Sequence, residues 1–330
     1  MILLKNFKLK LLYNVFFIVI ILFVQIFPEV IFSKVKPKKR YIPKPVIKKF
    51  VTSDYKLFIY ARKIQQGEGI YFKIFPKTKM KRKPNLFFLK YKVPLLKKKY
   101  KNITFYDGLA GIAPWQKASK TKIKIHYFRK GKKGKKTIKK YYTHNIKIKK
   151  TKFQKRWIKL KISKKYTAPK KKNYKLINKL WKIKQKAFNV YSPRKWSKRF
   201  IDPRNLAKIT SQFYSRRIYN TKPGSPHSGV DLKGKNGAPI RAMNSGKVLV
   251  ARKFYYEGNF TIIDHGEGIF SYYMHQSKLL VKKGQMVKRG QLIGLVGSTG
   301  MVTGPHLHLS VRINRTVLSP LSFLSLPISK

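Results

Sequence analysis

Three short segments hold residue types that can do chemistry: PHSGVDL (Pro226 to Leu232), SYYMHQS (Ser271 to Ser277) and GPHLHLS (Gly304 to Ser310). They carry His227, His275, His306 and His308 of the chain's seven histidines and Asp231 of its nine acidic residues, beside 79 Lys plus Arg. Scarce ligand-type residues at regular spacings among glycines indicate a metal site. His227 and Asp231 form His-x-x-x-Asp, and Ser228 and Gly229 between them indicate extended or loop backbone. On an extended strand that even spacing puts both side chains on one face. His306 and His308 form His-x-His, alternating with Leu307 and Leu309. On a strand both imidazoles face one side and the leucines face the core. Two histidines and a carboxylate suit zinc, with a fourth position left to water. Zinc lowers the pKa of that water and polarises a carbonyl oxygen. His275 supplies a further imidazole, and either it or the unligated histidine of the pair can act as base or acid.

Other residues are weaker candidates. No His-Glu-x-x-His occurs, so Glu257 and Glu267 beside glycines do not read as the general base, and histidine must fill that role. His265, beside Asp264, reads as a turn residue at a strand end. His126 and His144 lie in strand-type runs without acidic or histidine neighbours and read as structural. GSTGMVTG (Gly297 to Gly304) lacks the lysine and following helix of a phosphate-binding loop and reads as a turn before the His-x-His strand.

The rest of the chain must deliver and position that site. Residues 1–33 begin with Lys5, Lys8 and Lys10, followed by the apolar run Leu11 to Phe27, the pattern of a signal peptide or membrane anchor. Residues 34–49 contain Pro37, Pro43 and Pro45, which exclude a helix and indicate an extended spacer. Residues 50–150 show short β-type runs: KLFIYA, IYFKIF, NLFFLKYKV, NITFY, KIKIHYF and YTHNIKIKK. Turn material such as QQGEG and the hairpin tip KGKKGKK (Lys130 to Lys136) separates them, which predicts a small immunoglobulin-like β-sandwich. Residues 151–199 form a basic connector in which Asn173 to Phe188 spaces Leu176, Ile177, Leu180, Trp181 and Ile183 at helical intervals. In residues 200–330 lysine thins and glycine rises, predicting an all-β domain with tight turns, with no helical period of any length. The chain has no cysteine, so disulfides and thiolate ligands are excluded. The net charge of +70 fits attraction to an anionic cell envelope or a solvated lysine-rich surface. The lysines are spread along the chain, so no specific nucleic-acid partner is expected.

The last third of the chain closely resembles the lysostaphin-type (LytM-domain) zinc endopeptidases of bacterial cell walls. The matching stretches are HSGVD, NFTIIDHG, SYYMHQS, VKKGQMVKRGQLIGLVGSTG and TGPHLHLSV, in the family's order. The resemblance implies that His227, Asp231 and His308 bind one Zn2+ per chain. It implies that His275 and His306 are catalytic, activating water and stabilising the oxyanion. The implied substrate is a peptide bond in peptidoglycan. The N-terminal half is similar to exported members in which a small β-sandwich precedes the peptidase, with GLAGIAPW (Gly108 to Trp115) the most indicative stretch. Two departures occur: SQFYSRR has Tyr214 where such proteins usually have glycine, and the usual YAHLS is YMHQS.

The expectation is an exported cell-wall hydrolase in the periplasm or envelope, acting on peptidoglycan peptides and tethered to the membrane through residues 11–27 if that segment is uncleaved. The alternative is a non-catalytic envelope protein that binds peptidoglycan or activates another hydrolase. Relatives with that role typically lack ligands, whereas His227, Asp231 and His308 are all present.

Overall fold

A computed structural model describes residues 45–131, 137–153, 157–205 and 207–328. The apolar run Leu11–Phe27, most of the proline-rich stretch and residues 132–136 of the glycine-lysine hairpin tip lie outside these residues. Among the described residues, no helix is long and apolar enough to cross a membrane.

The alternating runs of the first half form nine strands: β1 (Val46–Val51), β2 (Tyr55–Ala61), β3 (Gly69–Pro76), β4 (Asn85–Phe88), β5 (Tyr91–Val93), β6 (Leu96–Tyr100), β7 (Ile103–Gly111), β8 (Lys120–Lys130) and β9 (Thr137–Lys147). They make one sheet in the order β1-β2-β3-β7-β6 and another in the order β5-β4-β8-β9. Both sheets contribute to one core, with Leu57, Ile59, Phe72 and Ile74 from the first and Leu86, Phe88, Ile123 and Ile125 from the second. In β8, Lys122, Lys124 and His126 alternate with buried Ile123, Ile125 and Tyr127, the period of a half-buried strand. β3 alternates poorly because both its faces are covered: Phe72 lies in the sandwich core and Tyr71 in the core of the C-terminal half.

Two features of this half differ from the sequence expectation. NLFFLKYKV is not one strand: β4 and β5 are joined by a two-residue turn with Leu89 at φ 47° and Lys90 at φ 67°. Such hairpin turns favour Asn and Gly, so Leu-Lys gave no signal. Val46–Lys49, expected in the spacer, already pairs with β2, Val46 opposite Ala61.

The connector carries β10 (Ile158–Leu160), the short helix α1 (Lys164–Thr167) and α2 (Lys171–Phe188). α2 buries Leu180, Ala187 and Phe188 on Val250, Phe254, Phe260, Phe270 and Tyr272. Leu176 and Trp181, expected on its apolar face, are exposed. The covered stripe instead runs through half-buried Ile177 and Ile183 and buried Leu180 and Ala187, spaced three to four residues apart as a helix face requires.

The C-terminal half contains β11 (Ile209–Ser211), β12 (Arg217–Tyr219), β13 (Lys222–Pro223), β14 (Val230–Lys233), β15 (Pro239–Arg241), β16 (Gly246–Phe254), β17 (Gly258–Gly266), β18 (Ile269–Leu279), β19 (Met286–Val287), β20 (Leu292–Val296), β21 (His306–Ile313) and β22 (Thr316–Leu318). The main path of a ten-stranded sheet runs β11-β14-β21-β18-β17-β16-β19, and β12 sits between β10 and β13 in a separate three-stranded sheet. One face of the large sheet buries Leu232, Val248, Ile263, Tyr273, Leu307 and Leu309. A short helix, α3 (Pro320–Ser325), follows β22 in a stretch where the sequence shows no helical period of any length. At six residues it is too short to show a periodic stripe. Phe323 in α3 packs into the same core as Tyr71 and Leu109 of the sandwich sheet.

Candidate metal centre

Strand register brings the candidate residues together. β14 and β21 are antiparallel, with Asp231 opposite His308 and Lys233 opposite His306. On β21, Leu307 and Leu309 enter the core, so His306 and His308 share the opposite face. His227 lies in the loop before β14. Its backbone N–H donates to the Ser215 carbonyl (3.0 Å), and its carbonyl accepts from the Tyr214 N–H (2.7 Å). Gly229 follows because a Cβ there would meet the Leu309 carbonyl oxygen at 2.2 Å and His308 Nε2 at 2.7 Å. The backbone must run against the ring, which only glycine permits.

His275 reaches the same face by a bulge. In β18, Ile269 and Tyr273 lie in the core, and a strict two-residue period would send His275 there too. Between the pairs Thr261↔Tyr273 and Asn259↔Gln276, however, Met274 and His275 together oppose Phe260 alone. His275 takes φ 65°, and its ring centroid lies 5.1 Å from that of His306 and 6.0 Å from that of His308. Bulges of this kind redirect a side chain. The N–H of His275 donates to the Glu257 carbonyl at 2.9 Å.

His227 Nε2 lies 2.9 Å from Asp231 Oδ1 and 2.8 Å from His308 Nδ1, and His308 Nδ1 lies 3.0 Å from Asp231 Oδ1. The other nitrogen of each ring fixes what this inner atom can be. His227 Nδ1 is 2.8 Å from the Gln212 carbonyl, which can only accept, so Nδ1 carries the proton. Ser310 Oγ donates its hydrogen to the Ser228 carbonyl (2.9 Å) and therefore accepts from His308 Nε2 (2.9 Å). In the neutral rings the inner nitrogens are lone pairs. Two imidazole lone pairs and a carboxylate oxygen within 3.0 Å repel unless a cation lies among them. A tetrahedral ion with bonds of about 2.0 Å sets its donor atoms about 3.3 Å apart, so small outward rotations of these side chains admit one. His227, Asp231 and His308 are all buried and together could hold a metal ion.

Electrostatics favours ligand rather than proton. Burial holds His308 down to about 4, despite the neighbouring Asp231 carboxylate. Burial, with the charges that His306 and His308 would carry, holds His275 well below the ordinary histidine range. Burial alone would raise Asp231, but hydrogen bonds and charge from His227 and His308 outweigh it and keep the carboxyl ionised.

His306 Nε2 is 3.5 Å from Asp231 Oδ1, and its Nδ1–H donates to the Gly304 carbonyl at 2.8 Å. His275 Nδ1–H likewise donates to the Thr299 carbonyl at 2.9 Å. In the neutral form of either ring Nε2 is therefore the nitrogen without a hydrogen. A cleft of about 180 Å³ opens on Asp231, His275 and His306, with Ile158, Leu160 and Tyr219 in its wall.

Residues 225–320 match the model of peptidase family M23. This segment is a peptidase family M23 domain. The chain is 44% identical over 124 residues to peptidoglycan DD-endopeptidase ShyB of Vibrio cholerae serotype O1, an alignment covering 37% of this chain and 29% of the relative. It is 48% identical over 102 residues to peptidoglycan DD-endopeptidase ShyA of the same organism, covering 31% of this chain and 24% of the relative. The chain thus spans less than a third of the length of these curated relatives. A solved peptidase M23 structure from Pseudomonas aeruginosa aligns over 80% of this chain and 96% of its own, with a TM-score of 0.54 and 24% identity, a likeness of fold.

The other sequence candidates lie elsewhere. His265 is within β17 and fully buried, not in a turn: Nε2 is 2.7 Å from Ser271 Oγ and Nδ1 is 2.8 Å from the Ser245 carbonyl. His144 is buried with Nε2 2.7 Å from the Tyr55 hydroxyl, and His126 sits between Phe87 and Tyr141. Glu257 is paired with Lys184, and Glu267 with Arg194. Sequence reasoning assigned no role to Ser310 or Arg217. Ser310, two residues after His308 on the same strand face, was the more accessible signal. Tyr214 adopts φ 61°, the backbone conformation that suits the glycine usual in the family resembled.

Proposed function

We propose that the M23 domain hydrolyses peptide bonds of bacterial peptidoglycan, using one Zn2+ held by His227 Nε2, Asp231 Oδ1 and His308 Nδ1. The observation that carries this reading is the inward convergence of two imidazole lone pairs and a carboxylate oxygen, each ring held by an acceptor on its outer nitrogen. The relatives named peptidoglycan DD-endopeptidases supply the substrate class.

Bound zinc supplies Lewis acidity, lowering the pKa of water and polarising a carbonyl oxygen. His275 and His306 provide the proton chemistry. Their Nδ1–H groups are held by the Thr299 and Gly304 carbonyls, so Nε2 of each can take a proton from the attacking water and, once protonated, donate to the developing oxyanion. Burial keeps His275 neutral, the form a base requires. The apolar wall of Ile158 and Leu160 excludes water from one side of the cleft and offers contact to an extended peptide.

Export to the periplasm or envelope belongs to the same reading and is supported by the lysine-flanked apolar run Leu11–Phe27; attraction to an anionic envelope is supported by the net charge of +70. Zymography on purified cell wall, with metal quantification of the same sample, tests the enzymatic reading. Clearing that depends on retained zinc is expected. A folded protein that never retains zinc and clears nothing supports a wall-binding role instead.

A further inference from the structure

Asp231 offers two oxygens, and they face different partners. Oδ1 lies 2.9 Å from His227 Nε2, 3.0 Å from His308 Nδ1 and 3.5 Å from His306 Nε2. Oδ2 accepts from Arg217 Nη2 at 2.6 Å. We propose that Arg217 is a positioning residue that occupies Oδ2 and so presents Asp231 to the metal centre through Oδ1 alone. This inference rests on the metal-centre reading above.

Three observations support it. The guanidinium is placed from a pinned backbone: Arg217 in β12 pairs with Ile158 of β10, and its carbonyl accepts from the Gly224 N–H at 2.8 Å. The same Nη2 also donates to Ser211 Oγ at 3.1 Å, and that hydroxyl lies 3.3 Å from His227 Nδ1. One nitrogen thus reaches the outer side of two candidate ligands. Arg217 Nε is buried without a hydrogen-bond partner among the described residues. A buried donor left unpaired destabilises the fold, so this side chain is not placed for the best local hydrogen bonding. Its placement is explained by the Asp231 contact, where the planar guanidinium fixes direction as a lysine ammonium cannot.

The test uses the full chain, stripped of metal and titrated with Zn2+ in competition with a chromophoric chelator. Arg217→Ala is expected to weaken zinc binding about 10–100-fold, the usual effect of losing a group that orients a ligand. Arg217→Lys, which keeps the charge, should recover part of that loss. With Co2+ in place of zinc, Arg217→Ala should show weaker visible d–d absorption, because a released carboxylate can bind through both oxygens and raise the coordination number. A purely structural role for Arg217 would not alter that spectrum. If Arg217→Ala fails to fold, Arg217→Lys and Arg217→Gln carry the same comparison, with weakening expected in the order Lys, then Gln. Wild-type affinity and an unchanged cobalt spectrum in the variants would overturn the assignment of Arg217 and leave the metal centre standing. A wild-type chain that binds no zinc would overturn both.

Discussion

Nε2 of His227 and Nδ1 of His308 face each other at 2.8 Å, with the outer nitrogen of each ring already committed to an oxygen. The two residues are 81 positions apart in sequence. They meet because β14 and β21 pair and because Gly229 lets the backbone pass beside the His308 ring.

Removing one of these rings should open the centre. His308→Ala is expected to abolish zinc binding, since a carboxylate and one imidazole remain. Metal analysis of the purified variant checks this, and stoichiometric zinc in that variant would contradict the ligand assignment.

His306 should behave differently. His306→Ala is expected to keep zinc, because Nε2 of His306 stands off at 3.5 Å from Asp231 Oδ1, and to lose about 10²–10⁴-fold in rate as a proton-transfer group. Metal content and peptide-release rate measured on one preparation separate the two effects. Loss of zinc in step with activity would place His306 among the ligands.

The placement of these residues was legible in the sequence to different degrees. His306 and His308 could be placed on one strand face because Leu307 and Leu309 alternate with them, and Ser228 and Gly229 indicated extended or loop backbone between His227 and Asp231. The route of His275 into the site was not legible. Period-two reasoning sends it to the core with Tyr273, and only the bulge opposite Phe260 turns it round. The Leu89–Lys90 turn was missed for a similar reason, since neither residue advertises a positive φ. The burial of His265 depends on packing by Phe200, whose ring centroid lies 5.0 Å away, and on Ser271, neither of which local composition specifies. Leu176 and Trp181 satisfied a helical period, but which stripe is covered depends on the sheet beneath α2.

Tyr214 holds a left-handed backbone at φ 61° while its ring packs 4.6 Å from that of Phe153. Tyr214→Ala should lose the packing and keep the strain. Tyr214→Gly should lose the packing and relieve the strain, leaving it more stable than the alanine variant by about 1 kcal/mol. Denaturant unfolding of both variants checks this order, and an alanine variant at least as stable as glycine would contradict it.

His265 makes stability depend on pH. Burial depresses its pKa to about 4 in the folded state from an ordinary value of 6.5. Between these values the unfolded chain binds the proton and the folded chain does not. Its contribution is therefore fully present above about 6.5 and is lost as pH falls towards about 4, by on the order of 3 kcal/mol. His265→Gln removes this titration, so the stability gap between wild type and variant should narrow by about that amount over the window. Unfolding curves across the range check it, and a constant gap would contradict it.

The most direct test is mass spectrometry of muropeptides released from purified peptidoglycan by the full chain, before chelation, after chelation, and after adding back about one equivalent of zinc. The account predicts cleavage at a peptide bond that disappears with the metal and returns with it. Undiminished release of the same fragments by the zinc-free protein would contradict it.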